Sequence, residues 1–162
     1  MSAIFSPCRT YRYVLTREWL GGNGVVNFVG LNPSTADETQ DDPTIRRCVG
    51  YAKAWGFSGL CMLNLFAFRA TDPKVMLAAV DRVGPENERW LHRCITTNEI
   101  TVAAWGVIGG DYGNFVRARY PQMKVLRLTK DGHPSHPLYL PKNLTPQEWT
   151  DAARDALKEG KP

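Results

Sequence analysis

Val25-Val-Asn-Phe-Val-Gly-Leu31 is an apolar run broken by one amide, and Asn32-Pro-Ser-Thr-Ala-Asp37 follows it at once. A short run rich in β-branched residues reads as a strand buried on both faces, and Pro33 with its short polar neighbours reads as the turn that ends it. Upstream, residues 11–17 alternate and are aromatic-rich, and Gly21-Gly22-Asn23-Gly24 supplies turn residues, so a hairpin is expected to lead into the buried strand. Downstream, Asp42-Pro43 opens a segment in which Ile45, Cys48, Val49, Ala52 and Trp55 recur at helical spacing, with Gly56 at its end. The same reading gives strands at 60–65, 100–105 and 123–128, and helices at 85–97 and 115–120. Thr145-Pro-Gln-Glu148 is a capping box with proline at the first helical position, which predicts a last helix through Leu157. Strands alternating with helices predict a three-layer α/β domain. Its core is a four-stranded, mostly parallel sheet at 25–31, 60–65, 100–105 and 123–128, with helices on both faces and an N-terminal antiparallel hairpin.

Length and composition agree with that picture. A chain of 162 residues, 43% apolar and 22% charged, fits one domain spanning residues 1–162, without repeats or low-complexity runs. Residues 1–10 hold no apolar core of signal-peptide length, and nothing later approaches the roughly 20 apolar residues of a membrane span. A cytoplasmic protein with no membrane partner is expected. Cys8, Cys48, Cys61 and Cys94 are far apart with no CxxC pair, which argues against a zinc ribbon and leaves them as core thiols. A net charge of +4 and a pI near 9.0 suit a partner with phosphates. Arg117, Arg119, Lys124, Arg127 and Lys130 crowd one segment, either as a phosphate-facing patch or as a solvated helix face and strand edge.

Ligand sites of parallel sheets lie at the carboxyl ends of the strands. Three strand ends carry polar residues here. Gly30-Leu-Asn-Pro-Ser-Thr-Ala-Asp37 offers Asn32, Ser34, Thr35 and Asp37, either as a ligand loop or as an Asx-type turn. Asn64 closes the second strand. Asp131-Gly-His-Pro-Ser-His-Pro-Leu-Tyr139 holds two of the three histidines between prolines.

These motifs carry two resemblances. Leu31-Asn-Pro-Ser-Thr-Ala-Asp37, Asn64-Leu-Phe66 and His136-Pro-Leu-Tyr-Leu140 resemble the signatures of a bacterial and phage family labelled domain of unknown function 1643, over nearly the whole chain. More remotely, Gly30-Leu-Asn-Pro33, the Asn64-ended strand and a His-Pro pair at His136 or His133 resemble, in order and placement, the motifs of the uracil-DNA glycosylase superfamily. That resemblance implies a glycosylase-like α/β fold and a nucleobase pocket. In it Asn32 and His136 act on the reacting groups, while Gly30, Pro33, Ser34, Thr35, Asp37, Asn64, Phe66, His133 and Tyr139 contact substrate. Of the two histidines, His136 is favoured because the closer family's signature includes it. No metal or cofactor is implied, and the expected partner is nucleic acid or a nucleotide.

N-glycosidic hydrolysis needs a held water, a group that reads the base edge, and a donor for the charge developing on the base. Asn32, Asn64 and His136 match those needs in that order, and since a carboxamide cannot accept the water's proton, slow turnover is expected. The superfamily's stacking aromatic has no clear counterpart, with Phe66 or Phe68 as substitutes. Ser34 stands where the uracil-selective branch carries a bulky tyrosine, which implies room for a larger 5-substituent. Two alternatives stand beside this reading. One is a nucleotide- or nucleic-acid-binding module without hydrolysis; the other is a magnesium-dependent phosphate-processing site at Asp37, Asp41, Asp42 and Asp72.

Overall fold

In a computed structural model, which describes residues 2–150, the opening apolar run is strand β3, Val25–Gly30, buried from Val26 onward. The hairpin strands β1, Ser2–Phe5, and β2, Arg12–Glu18, precede it. After it come α1 (Pro43–Ala54), β4 (Gly59–Asn64), α2 (Pro73–Leu77), α3 (Asn87–Thr97), β5 (Ile100–Ala103), α4 (Gly110–Arg119), β6 (Lys124–Val125) and β7 (Gln147–Glu148). All seven strands join one sheet in the order β1-β2-β4-β3-β5-β6-β7. The four central strands β4, β3, β5 and β6 run parallel, and the outer strands are antiparallel to their neighbours.

The central strands are buried almost throughout, because successive side chains point to opposite faces and both faces are covered. Val26, Phe28, Leu60, Met62 and Val102 pack with Ile45, Cys48 and Tyr51 of α1 on one side. Val29, Leu63 and Ala103 pack with Leu91 and Ile95 of α3 and Val116 of α4 on the other. Each such large side chain contributes roughly 1.5–3 kcal/mol of burial, which makes this double-faced sheet the rigid frame. The chain leaves β3 through α1 to β4 on one side, and later returns to place β5 on the other side of β3. The winding therefore reverses at β3, and a crevice opens beyond its carboxyl end, where Asn32 follows.

Several expectations change. Among the described residues the four expected parallel strands are present, and antiparallel β1, β2 and β7 extend them to a seven-stranded sheet. The hairpin is present but joins β1 to β2, and β2 lies against β4 rather than β3. The fourth central strand shrinks to Lys124–Val125, although Leu126 and Leu128 remain buried, because the apolar pattern reports burial and not ladder pairing. The capping-box segment does not start a helix at 147: Gln147–Glu148 pairs with β6 as an edge strand, whose open backbone groups outweigh the local helix signal. The remainder of that expected helix, 151–157, lies outside the described residues. Cys48 and Cys61 are core thiols as expected, Cys94 is partly buried, and Cys8 is on the surface. Among the described residues no helix is long and apolar enough to cross a membrane.

Candidate ligand pocket at the carboxyl edge of the sheet

A cavity of about 470 Å³ opens where β3, β4 and β5 end, within the range that encloses small ligands. Asn32, Asn64 and His136 all line it, although the last lies far from the others in sequence. Gly30, Ser34 and Tyr139 line it too.

Asn32 is held by the loop it belongs to. Its Nδ2 donates to the carbonyls of Ala70 at 2.8 Å, Pro33 at 3.1 Å and Phe68 at 3.4 Å, stapling the loop after β3 to the loop after β4. Three surrounding carbonyls accept only from a donor, so the amide's orientation is settled and Oδ1 is the group left for a ligand or water. Pro33 is buried and its carbonyl also accepts from the N–H of Ala70. This residue shapes the pocket through its backbone.

Asn64 presents the opposite situation. Its side chain is 2% exposed, its amide makes no hydrogen bond among the described residues, and Nδ2 is sealed from solvent without a partner. Asn27, equally buried one strand away, is satisfied: its Nδ2 donates to Cys94 O and Thr101 Oγ1, and its Oδ1 accepts from Asn98. An unmet buried donor costs about 1–3 kcal/mol, so one at a pocket wall marks a place where a ligand completes the bond. Gly30, the register partner of Asn64, makes room for it: a Cβ there would stand 2.8 Å from Met62 Cε and 3.0 Å from Asn64 Oδ1.

His136 is half-buried, and its Nδ1 accepts from the N–H of Leu138 at 3.2 Å. A ring nitrogen that accepts carries no proton, so the neutral imidazole has its hydrogen on Nε2. Burial holds its pKa below the ordinary value, and the nearby Asp42 carboxylate opposes that shift less strongly. The folded-state pKa is thus depressed, so the ring is neutral above the ordinary value of about 6.5; as pH falls further Nδ1 takes a proton and loses its bond from Leu138, while Nε2 keeps its hydrogen. Ligand affinity is expected to stay flat from pH 8 down to about 6.5 and to change only below it, as the ring becomes charged. Calorimetric titration across that range checks this; a midpoint above about 6.5 would show that the titrating group is not His136.

Other expected residues go elsewhere. Phe66 is 4% exposed and stacks on Tyr112 in the core, and Phe68 packs edge-on against Tyr11. Neither lines the pocket; its aromatics are Trp105, at the end of β5, and the exposed Tyr139, whose ring lies 5.7 Å from that of His136. Thr35 is exposed and outside the pocket. Asp37 accepts from the N–H groups of Thr39 and Gln40, an Asx turn. His133 does not line the cavity, and its N–H donates to Thr129 Oγ1. The acidic set is also dispersed: Asp41 pairs with Arg17, while Asp42 and Asp72 cap α1 and α2. Among the described residues no three potential ligand side chains group as a metal site. The basic segment is spent or distant, with Arg117 against Trp149, Lys124 paired to Glu148, and none of its members lining the pocket.

Two residues at the pocket, Arg12 and Trp105, carry signals that sequence reasoning passed over, and a third, Asp42, was weighed there only as a helix start and a metal ligand. Arg12 opens β2 just ahead of the apolar run Tyr13-Val-Leu15, Trp105 follows the end of β5 by two residues, and Asp42 is the one carboxylate among the described residues that lines the cavity.

Fold and site together define an α/β protein with a preformed polar pocket at the switch point of a parallel sheet. The chain belongs to the family described as "Protein of unknown function (DUF1643)", whose model matches residues 12–138. No curated protein and no solved structure matches it.

Proposed function

We propose that this pocket binds a pyrimidine nucleobase, free or modified, carried by a nucleotide or by DNA, and that slow N-glycosidic hydrolysis is the reaction its groups suit. The observation that carries the reading is the unbonded, buried amide of Asn64 facing the same cavity as an acceptor, Asn32 Oδ1, and a neutral imidazole donor, His136 Nε2. A pyrimidine edge alternates donors and acceptors, which one amide reads with two bonds, and the imidazole N–H suits the base oxygen on which charge develops. These roles agree with the motif resemblance to the uracil-DNA glycosylase superfamily. Trp105 and Tyr139 are the rings available to lie against a base.

Asn32 orients a water but takes no proton. Asp42 is the acid lining the pocket; its Oδ1 accepts from the Ile45 N–H, which leaves the other oxygen to act as the base. The test uses oligonucleotides and nucleotides bearing uracil, thymine, 5-hydroxymethyluracil or a bulkier base, scored for abasic sites and released base. Larger 5-substituents are expected to react better than uracil because Ser34, not a bulky ring, lines the wall. Asp42→Asn keeps the helix cap, since asparagine caps as well as aspartate, and is expected to lower turnover about 100-fold or more with binding retained. Binding without product in the native protein would favour a non-catalytic nucleotide-binding module, a reading that the carboxamide at position 32 also suits.

A further inference from the structure

Arg12 and Arg17 lie on the same strand and are equally buried, at 2% and 3% exposure, yet they are bonded very differently. Arg17 donates from Nε to Asp41 at 2.7 Å and from its two other nitrogens to the carbonyls of Ser2, Thr16, Asp37 and Gln40. Arg12 makes one bond, from Nη1 to Ala36 O at 3.0 Å; its Nε is sealed without a partner, and it forms no ion pair among the described residues. Burial brings its pKa down to about 10, still well above neutrality, so the charge persists. Asp42 is the acid that favours this charge, against Arg69 and Arg17, which oppose it. A charge taken out of water without an opposite partner is costly, and arginine presents five donors in a fork matched to oxyanions. Arg12 lines the same cavity as Asn64.

We propose that Arg12 holds a terminal phosphate, so that the ligand is a nucleoside phosphate monoester with its base toward Asn64 and its phosphate on the guanidinium. The base half rests on the nucleobase reading above; the oxyanion half stands on Arg12 alone. A base swung out from within a strand keeps phosphodiesters that run along the protein surface, where a 2%-exposed guanidinium does not reach. A monoester has no onward strand and can enter with its dianionic charge, either as a free mononucleotide or as a phosphorylated strand end.

The experiment titrates the full chain calorimetrically with thymidine, its 5′- and 3′-monophosphates, inorganic phosphate, and a short oligonucleotide with and without a terminal phosphate. One of the monophosphates is expected to bind about 10- to 100-fold tighter than thymidine. Arg12→Met is expected to erase that gap and to melt near the native temperature, because removal of the unpaired charge offsets the lost bond to Ala36 O. Preference for the free nucleotide over the phosphorylated strand end, or the reverse, identifies the source. Equal binding of thymidine and its monophosphates by the native protein overturns the oxyanion site, as does a gap that survives in Arg12→Met. If thymidine fails to bind while inorganic phosphate raises the melting temperature of the native protein but not of Arg12→Met, the nucleobase reading falls and the oxyanion site stands. Should Arg12→Met not fold, Arg12→Lys decides, since losing the planar fork must shrink the gap and an unchanged gap overturns the proposal.

Discussion

Asn64→Leu is expected to melt at a higher temperature than the native protein while losing its ligand. Leucine nearly matches asparagine in shape, and it removes a buried donor that no group among the described residues satisfies. Relief of that desolvation is worth about 1–3 kcal/mol, and each kcal/mol corresponds to roughly 2–4 °C in a chain of this size. Base affinity is expected to fall at least about 100-fold, because a site built to hydrogen-bond its ligand loses most when the bond is removed. Asn27→Leu is the control: it strands Cys94 O, Thr101 Oγ1 and the Asn98 amide, and is expected to destabilise by several kcal/mol without any gain. Thermal melts with calorimetric titration of a nucleobase separate the two. A lower melting temperature for Asn64→Leu with affinity retained would place Asn64 in the scaffold.

Asn32→Asp is expected to damage the protein rather than to improve catalysis. An aspartate at this position would at first sight restore a base able to activate water. Here, however, the nitrogen that would become an oxygen faces the carbonyls of Pro33, Phe68 and Ala70. A carboxylate would set negative charge against three carbonyl dipoles and cut the staple between two loops, at a cost of about 3 kcal/mol and a fall on the order of 10 °C at neutral pH. The protonated acid can still donate, so the variant's folded-state pKa lies above the ordinary value of about 3.9. With a raised folded pKa, stability is present below the unfolded value and lost as pH rises through the folded one. Melting temperature relative to the native protein is therefore expected to recover from pH 8 toward pH 4. A variant that melts like the native protein at pH 8 and hydrolyses faster would show that the staple is dispensable.

Both expectations depend on how each amide is bonded, which no residue pattern reports. Asn27 within β3, Asn32 just after it and Asn64 at the end of neighbouring β4 are one residue type, yet one is saturated, one is a staple and one is open. The same holds for Arg12 and Arg17, alike in burial and five residues apart.

Local pattern alone placed the central strands, the amphipathic helix α1 and the ends at which a site should form, because apolar period and turn chemistry are properties of a few adjacent residues. It also placed Asn32, Asn64 and the loop of His133 and His136 at one edge, since parallel strands share their carboxyl side, while the family signature favoured His136 of the two. Tertiary structure decided the rest. Phe66 lies in the core instead of against a ligand, because rings from α4 offered it a packing partner. Gln147–Glu148 became strand instead of helix because β6 had an unpaired edge. Arg12 and Asp42 became pocket residues because β2 was laid beside β4 and α1 was started at the pocket's rim, long-range pairings that depend on the whole chain's packing and not on any segment's own preference.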